Sequence, residues 1–168
     1  MTNTAVGTIT KSDDEYALLL ERTYPVPVER VWAALVEPEK LARWLAPVRH
    51  DGRVGGAFRI DFGSEQAGGE ILAYDPPREL AFEWREGDED ASVVRFELEA
   101  SEGGTRLRLT HTRQTAEMAA GTGPGWHAHL VVLEVVLGGG AFDLDRDYRQ
   151  LYEDAKPLYA GAVPAEAP

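Results

Sequence analysis

Two runs of apolar residues at helical spacing follow a strand near the start of the chain. The strand is predicted over Glu15–Tyr24, where Leu and Tyr dominate. After it, apolar residues recur every three or four positions, as in a helix with one buried face. Pro27, Pro38 and Pro47 mark the helix boundaries. The apolar residues are Val28, Val31, Trp32 and Leu35 in the first helix, and Leu41, Trp44 and Leu45 in the second.

The middle of the chain changes to a period of two. Such alternation between short turns predicts an antiparallel meander of five strands with one buried and one solvated face. Gly55-Gly56 suggests a bulge or a close backbone approach, and Gly68-Gly69 is predicted to separate the first strand from the second. The second strand contains Glu70–Tyr74, whose register stays ambiguous. The inward series are Phe58, Ile60 and Phe62; Leu80, Phe82 and Trp84; Val94, Phe96 and Leu98; and Leu107, Leu109 and His111.

A long apolar helix is predicted over residues 126–137, between Gly125 and a run of three glycines. Residues 121–125, rich in glycine, are predicted to be the turn that leads into it. The helix is apolar almost all round, so both of its sides should be buried. The sheet covers one side, and the other meets either a second copy of the chain, as a homodimer, or an additional helix over residues 142–158.

These elements predict an α+β fold. A curved antiparallel six-stranded sheet wraps around a long C-terminal helix, with two short helices after the first strand. Residues 13–160 are predicted to form a single domain, which includes the additional helix. Residues 1–12 are interpreted as a flexible leader and residues 161–168 as a flexible tail.

Composition excludes several classes of function. With 168 residues, 43% hydrophobic and 27% charged, the chain fits one folded domain. It has no cysteine, so disulfides, thiolate nucleophiles and Cys-ligated zinc are excluded. A net charge of −12 argues against nucleic acid as a partner. Neither a signal core nor an apolar run of bilayer length occurs, so the cytoplasm is the expected location and a membrane is not an expected partner.

Several strings of the sequence resemble one known family. They are PVPVERVWAALVEPEKLARWLAP, GRVGGAFRIDF, GEILAYDPPRELAFEW, GGTRLRLTHT and GPGWHAHLVVLE. Together they are similar to the helix-grip fold of the START-like or SRPBCC superfamily, in the branch named after the activator of the heat-shock-protein-90 ATPase. The resemblance runs from about Tyr16 to Leu137. It implies a cavity between the sheet and the long helix, but it brings no catalytic motif, and nothing in the chain matches the separate chaperone-binding domain of the co-chaperones.

The predicted cavity wall combines inward strand positions with one face of the long helix. An apolar pocket with a few polar groups would bind a small hydrophobic or amphipathic molecule. The alternative is that the same side chains fill a core with little free volume. The predicted ligand-binding residues are Trp44, Phe58, Ile60, Trp84, Phe96, Leu107, His111, Trp126, His129, Leu130 and Leu133.

Three histidines are the candidates for chemistry. His111, His127 or His129 could act as a general acid or base beside the cavity. The alternative is that each is a hydrogen-bonded histidine of the core or its rim. His127 and His129 lie two residues apart on a helix and point to nearly opposite sides, so they are not expected to share a metal ion. The carboxylates Asp61 and Glu83 alternate with inward residues and are expected on the solvated face.

Three functional hypotheses follow, and no cofactor is expected in any of them. The first is a non-catalytic protein that binds a small apolar molecule beneath helix 126–137. The second is an enzyme of the cyclase or hydrolase kind that uses a cavity histidine. The third is an interaction protein, either a chaperone partner or a regulator, which acts through its surface.

Overall fold

The computed structural model describes residues 5–87 and 90–164, and their elements follow the predicted order. Strands and helices segregate along the chain, which defines an α+β protein. The strands in these residues are β1 (Thr8–Ser12), β2 (Glu15–Tyr24), β3 (Val48–His50), β4 (Ala57–Asp61), β5 (Gln66–Asp75), β6 (Glu79–Glu86), β7 (Ser92–Ser101) and β8 (Gly104–Gln114). The helices are α1 (Val28–Val36), α2 (Pro38–Trp44), α3 (Ala116–Leu137) and α4 (Leu144–Tyr159).

The strands form one antiparallel sheet in the order β1-β2-β8-β7-β6-β5-β4-β3. The predicted helix-grip fold is confirmed, but in the described residues the sheet has eight strands rather than six. β1 lies in the segment interpreted as a leader, and that interpretation is wrong for Thr8–Ser12, which pair with β2. The missed strands are short and carry few buried residues, with Ile9 in β1 and Val48 in β3, so neither gives a measurable period.

Strand β5 continues through Gly68-Gly69, where a separation between two strands was predicted. Gly68 has a φ of +134°, and a Cβ atom at this position would lie 1.9 Å from the carbonyl oxygen of Phe58. Only glycine can occupy such a position. The glycine pair therefore reflects a close approach between β4 and β5 and does not end a strand.

Helix α3 packs against β2 and β8 of the sheet and begins at Ala116 rather than at Trp126. The Thr115 side chain caps it by accepting a hydrogen bond from the Met118 amide. The segment 121–125, predicted as a lead-in turn, is helical despite its three glycines and Pro124. Glycine and proline disfavour a helix locally, and here the contacts with α4 outweigh that preference.

Helix α4 covers the side of α3 that faces away from the sheet. The Tyr159 ring lies on Gly123, and the Tyr148 hydroxyl donates to the Gly125 carbonyl at 3.4 Å. The structure thus provides the intrachain cover that was one of two predicted alternatives. The apolar circumference of α3 therefore no longer argues for a homodimer. In the described part of the chain, none of the helices is long and apolar enough to span a bilayer.

The contact between Gly123 and Tyr159 leads to a prediction for two matched glycine variants on α3. In Gly123→Ala the new Cβ would lie 2.8 Å from the Tyr159 ring, so we expect overpacking to lower the free energy of unfolding by about 1–2 kcal/mol. In Gly121→Ala the nearest atom is the Tyr152 hydroxyl at 4.0 Å, so the higher helix propensity of alanine should raise the free energy of unfolding by about 0.5–1 kcal/mol. Urea unfolding measures both, and equal stabilities would contradict the proposed contact.

Candidate functional site

Most of the predicted wall residues form a packed core. Phe58 stacks on Phe82 with ring centroids 4.0 Å apart, and Trp44 meets Phe96 edge to face at 6.4 Å. Such contacts leave little free volume between the side chains. The predicted wall residues that lie in this core, and do not line the cleft described next, are Trp44, Phe58, Ile60, Phe96, Leu107, Leu130 and Leu133.

A partly open cleft lies at one end of the molecule, where the end of α2 and the loop after β4 face α3 and α4. It has two halves that share Leu45, Phe62, His129 and Tyr148. The sheet-side half has a volume of about 410 Å³ and is also lined by Trp84 and Trp126. The loop-side half has a volume of about 570 Å³ and extends to the start of α4. We call the two halves together the mouth cleft, and either is large enough for a small organic molecule.

The first half of α3 supplies one wall of the mouth cleft. The lining residues recur at the spacing of one helix face, and two of them are glycines, which leave room above the helix. These residues are Met118, Gly121, Thr122, Gly125, Trp126 and His129. Because the predicted helix began at Trp126, sequence reasoning missed most of this face. The spacing from Met118 to His129, after the capping Thr115, was the signal that could have revealed it.

Aromatic side chains form the rest of the wall. Phe62, at the end of β4, is 36% exposed and lies 5.8 Å from the Trp84 ring. Trp84 in turn meets Trp126 nearly edge to face at 5.5 Å. Tyr148 and Tyr152 of α4 close the opposite side. Phe62 belongs to a predicted inward series, whereas the two tyrosines lie in the additional helix predicted over residues 142–158 and are not among the predicted wall residues.

His129 places an imidazole at the boundary of the two halves. The side chain is 8% exposed and stacks on the Tyr148 ring at 4.3 Å. Nδ1 lies 2.9 Å from the Trp44 carbonyl oxygen, so it carries the proton and donates, which leaves Nε2 as a hydrogen-bond acceptor. Burial lowers the pKa of His129 to about 4, although the bond to Trp44 acts in the opposite direction. His129 is therefore a neutral acceptor at neutral pH.

His111 is held in a fully satisfied buried network. Its Nδ1 accepts from the Trp126 indole N–H at 3.0 Å, and its Nε2 lies 2.7 Å from the Ser92 hydroxyl. That hydroxyl donates to the Trp84 carbonyl at 3.0 Å, so Nε2 is the donor to Ser92. Burial lowers the pKa of His111 to about 3. The structure thus favours the hydrogen-bonded core histidine over an acid or base.

His127 points away from the mouth cleft. Its Nδ1 lies 3.0 Å from the Tyr159 hydroxyl and 3.4 Å from an Arg22 nitrogen. Burial and the neighbouring guanidinium lower the pKa of His127. The hydroxyl of Tyr159 also accepts from the Gly7 amide at 2.8 Å, so this cluster joins the start of the chain, β2, α3 and α4. His127 and His129 thus have separate partners, and no group in the described residues brings together three potential metal ligands.

The sheet, the long helix that it grips and the cleft between them place the protein in the START-like class of helix-grip proteins. The chain belongs to the family described as activator of Hsp90 ATPase homolog 1-like protein, whose family model matches residues 25–138. This match confirms the resemblance seen in the sequence. A search of curated proteins found no match.

Solved structures support the same fold over most of the chain. CalU16 from Micromonospora echinospora is 24% identical, with a TM-score of 0.75, over 94% of this chain and 96% of that one. Protein MLL2253 from Mesorhizobium loti is 26% identical, with a TM-score of 0.68, over 75% of this chain and 99% of that one. DynU16, from the dynemicin biosynthetic locus, is 24% identical, with a TM-score of 0.70, over 77% of this chain and 49% of that one.

The buried neutral histidines predict that stability falls in acid. The unfolded chain binds a proton at each imidazole with a pKa of about 6.5, whereas the folded protein does so only near pKa 3 for His111 and 4 for His129. Stability is therefore fully present above about pH 7. It decreases as the pH falls towards 4, by about 1.4 kcal/mol per pH unit for each such histidine. Urea unfolding between pH 7 and 4.5 measures this slope.

The variant His111→Gln separates the histidine from the carboxylates, which also titrate in acid. Glutamine offers a donor and an acceptor in place of the two imidazole nitrogens but does not titrate. We expect the variant to be less stable at pH 7 yet to lose less stability on acidification. An unchanged slope would contradict the assignment of His111 as a neutral buried group.

Proposed function

We propose that the protein binds a small aromatic or amphipathic molecule in the mouth cleft. The observation that carries the proposal is the combination of an aromatic wall with one acceptor, the Nε2 atom of the largely buried His129. Aromatic faces supply apolar contact area, and a single acceptor at the junction of the two halves orients a ligand that has an N–H or O–H group. The ligand would enter at the mouth of the helix-grip rather than lie within the packed core.

Binding is better supported than catalysis by the state of the histidines. Both nitrogens of His111 have protein partners, and His127 lies on the other side of α3. His129 reaches the cleft, but a group with a pKa of about 4 is a weak base at neutral pH. Accepting a hydrogen bond does not require protonation, so His129 suits a binding role.

The solved relatives support the fold. DynU16 is described as a protein in the dynemicin biosynthetic locus. At 24% identity, the similarity between DynU16 and this chain concerns the fold alone, so it does not indicate a ligand. The activation of the Hsp90 ATPase in the family name would require a surface interaction, and an interaction of this kind gains support if no small molecule binds.

A fluorescent apolar probe tests the proposal. N-phenyl-1-naphthylamine is neutral and aromatic and has one N–H group that can donate to His129. We expect saturable fluorescence enhancement with the unmodified protein. In Gly121→Phe the new ring would project from the cleft wall into the cleft beside Tyr152, and we expect it to weaken binding by at least about tenfold.

Ala120→Phe is the matched control. It adds the same ring at the next position of α3, where the side chain is exposed and does not line the cleft. Its probe affinity should equal that of the unmodified protein. If the probe fails to bind, or if both phenylalanine variants bind it as well as the unmodified protein, the mouth cleft is not the binding site.

A further inference from the structure

The charged residues that line the mouth cleft all have the same sign. Glu65, Glu86 and Glu117 line the sheet-side half, and the loop-side half adds three aspartates, at positions 61, 143 and 145. None of the described lining residues of either half is a lysine or an arginine. Asp61, which was expected on the solvated face of the sheet, is exposed but lies at the strand end that borders the cleft.

The overall acidity of the protein does not by itself explain this pattern. A depression on the outer face of the sheet holds Glu21, Glu97 and Glu99 together with Arg106 and Arg108. A second depression, near the end of β8, adjoins the sheet-side half, shares Glu86 and Glu117 with it, and contains Arg85 and Arg113. These two depressions mix the two signs, whereas the charged residues that line the mouth cleft are carboxylates alone.

The three glutamates of the sheet-side half have no cationic partner within 4.0 Å among the described residues. Glu86 accepts a hydrogen bond from the Trp84 indole at 3.1 Å, which fixes its carboxylate at the rim. Two of the aspartates are partly engaged, since Asp143 caps α4 and Asp61 accepts from the Gly63 amide. The glutamates are therefore the main source of unpaired charge.

A second, independent feature points to the same kind of ligand. His129 is more than nine-tenths buried, its Nδ1 donates to Trp44, and Nε2 has no partner in the described residues. A neutral imidazole nitrogen accepts from an ammonium N–H, and the surrounding tryptophan and tyrosine faces attract a cation. Acceptor, aromatic faces and carboxylates are thus all complementary to positive charge.

We propose that the mouth cleft selects organic cations, namely aromatic or amphipathic molecules that carry an ammonium group. The inference rests on the proposed function and specifies its ligand class. The apolar part of the ligand packs against Trp84, Trp126 and Tyr152, and the ammonium lies between His129 and the glutamates of the rim. An organic cation fits better than a metal ion, because the described residues contain no group of three ligands placed to hold one.

Three naphthylamine probes that differ in one end group test the charge preference. They are N-(1-naphthyl)ethylenediamine, which is cationic, 2-(1-naphthylamino)ethanol, which is neutral, and N-(1-naphthyl)glycine, which is anionic. At low ionic strength we expect the cation to bind about tenfold more tightly than the alcohol, and the anion to bind most weakly. The difference should shrink as NaCl is added, since salt screens charges at a rim. Isothermal titration calorimetry measures all three affinities.

Two variants with equal net charge locate the effect. In Glu65→Gln/Glu86→Gln/Glu117→Gln the cation should lose about tenfold in affinity, and the alcohol should bind as before. In Glu21→Gln/Glu97→Gln/Glu99→Gln the same charges are removed from the outer face of the sheet, away from the cleft. Its cation affinity should stay within about twofold of that of the unmodified protein. Urea unfolding verifies that both variants are folded.

The outcomes separate the two proposals. If N-phenyl-1-naphthylamine and the alcohol bind in the cleft but the ammonium gives no advantage, the charge preference is wrong and the binding function stands. Equal losses of cation affinity in both triple variants would also overturn the preference, because net charge would then explain it. If no probe is sensitive to Gly121→Phe, the binding function itself fails.

Discussion

The structure depends on burying helix α3 on two sides at once. The helix is apolar around its circumference, and a helix of that kind cannot keep one side in water. The sheet covers the side that carries Trp126, which contacts Trp84 and Phe96, and α4 covers the side that carries Gly123. The Tyr159 ring fits on Gly123, and its hydroxyl bonds to the Gly7 amide and approaches His127. One tyrosine thereby fixes α4 to the helix and to the start of the chain, and α4 in turn supplies the outer wall of the mouth cleft.

His127 and His129 of α3 show how burial on both sides of the helix determines which side chain can contact a ligand. His127 faces Arg22 and Tyr159, while His129 faces Trp44 and the mouth cleft. Both have a lowered pKa because burial disfavours the charged imidazole. Both histidines use only Nδ1 in these bonds, but His129 lines the mouth cleft and His127 does not. The proposed function therefore depends on which side of α3 faces the cleft, and the residue type alone does not reveal that.

Sequence periodicity predicted the fold well wherever long elements bury one face. The alternation from Phe58 to His111 and the stripe from Trp126 to Leu137 gave the sheet, the helix and their order. It failed where tertiary contacts outweigh local preference. Thr8–Ser12 pairs with β2 although only Ile9 is buried, and residues 121–125 are helical because α4 packs on their glycines. The sequence predicts a strand end at Gly68, because a close approach between two strands cannot be recognised from the residues around the glycine.

The site was the least predictable part, because a cleft forms where side chains are small and leave free volume. The predicted cavity wall combines inward strand positions with one face of the long helix, yet large side chains at these positions, such as Trp44, Phe58 and Phe96, fill the space between sheet and helix. Free volume lies instead where α3 presents Gly121 and Gly125 beneath Tyr152 and Tyr148. Those glycines serve two purposes, since they admit α4 at close range and leave a hollow beside it. The same residues that weakened the helix prediction therefore mark the position of the candidate site.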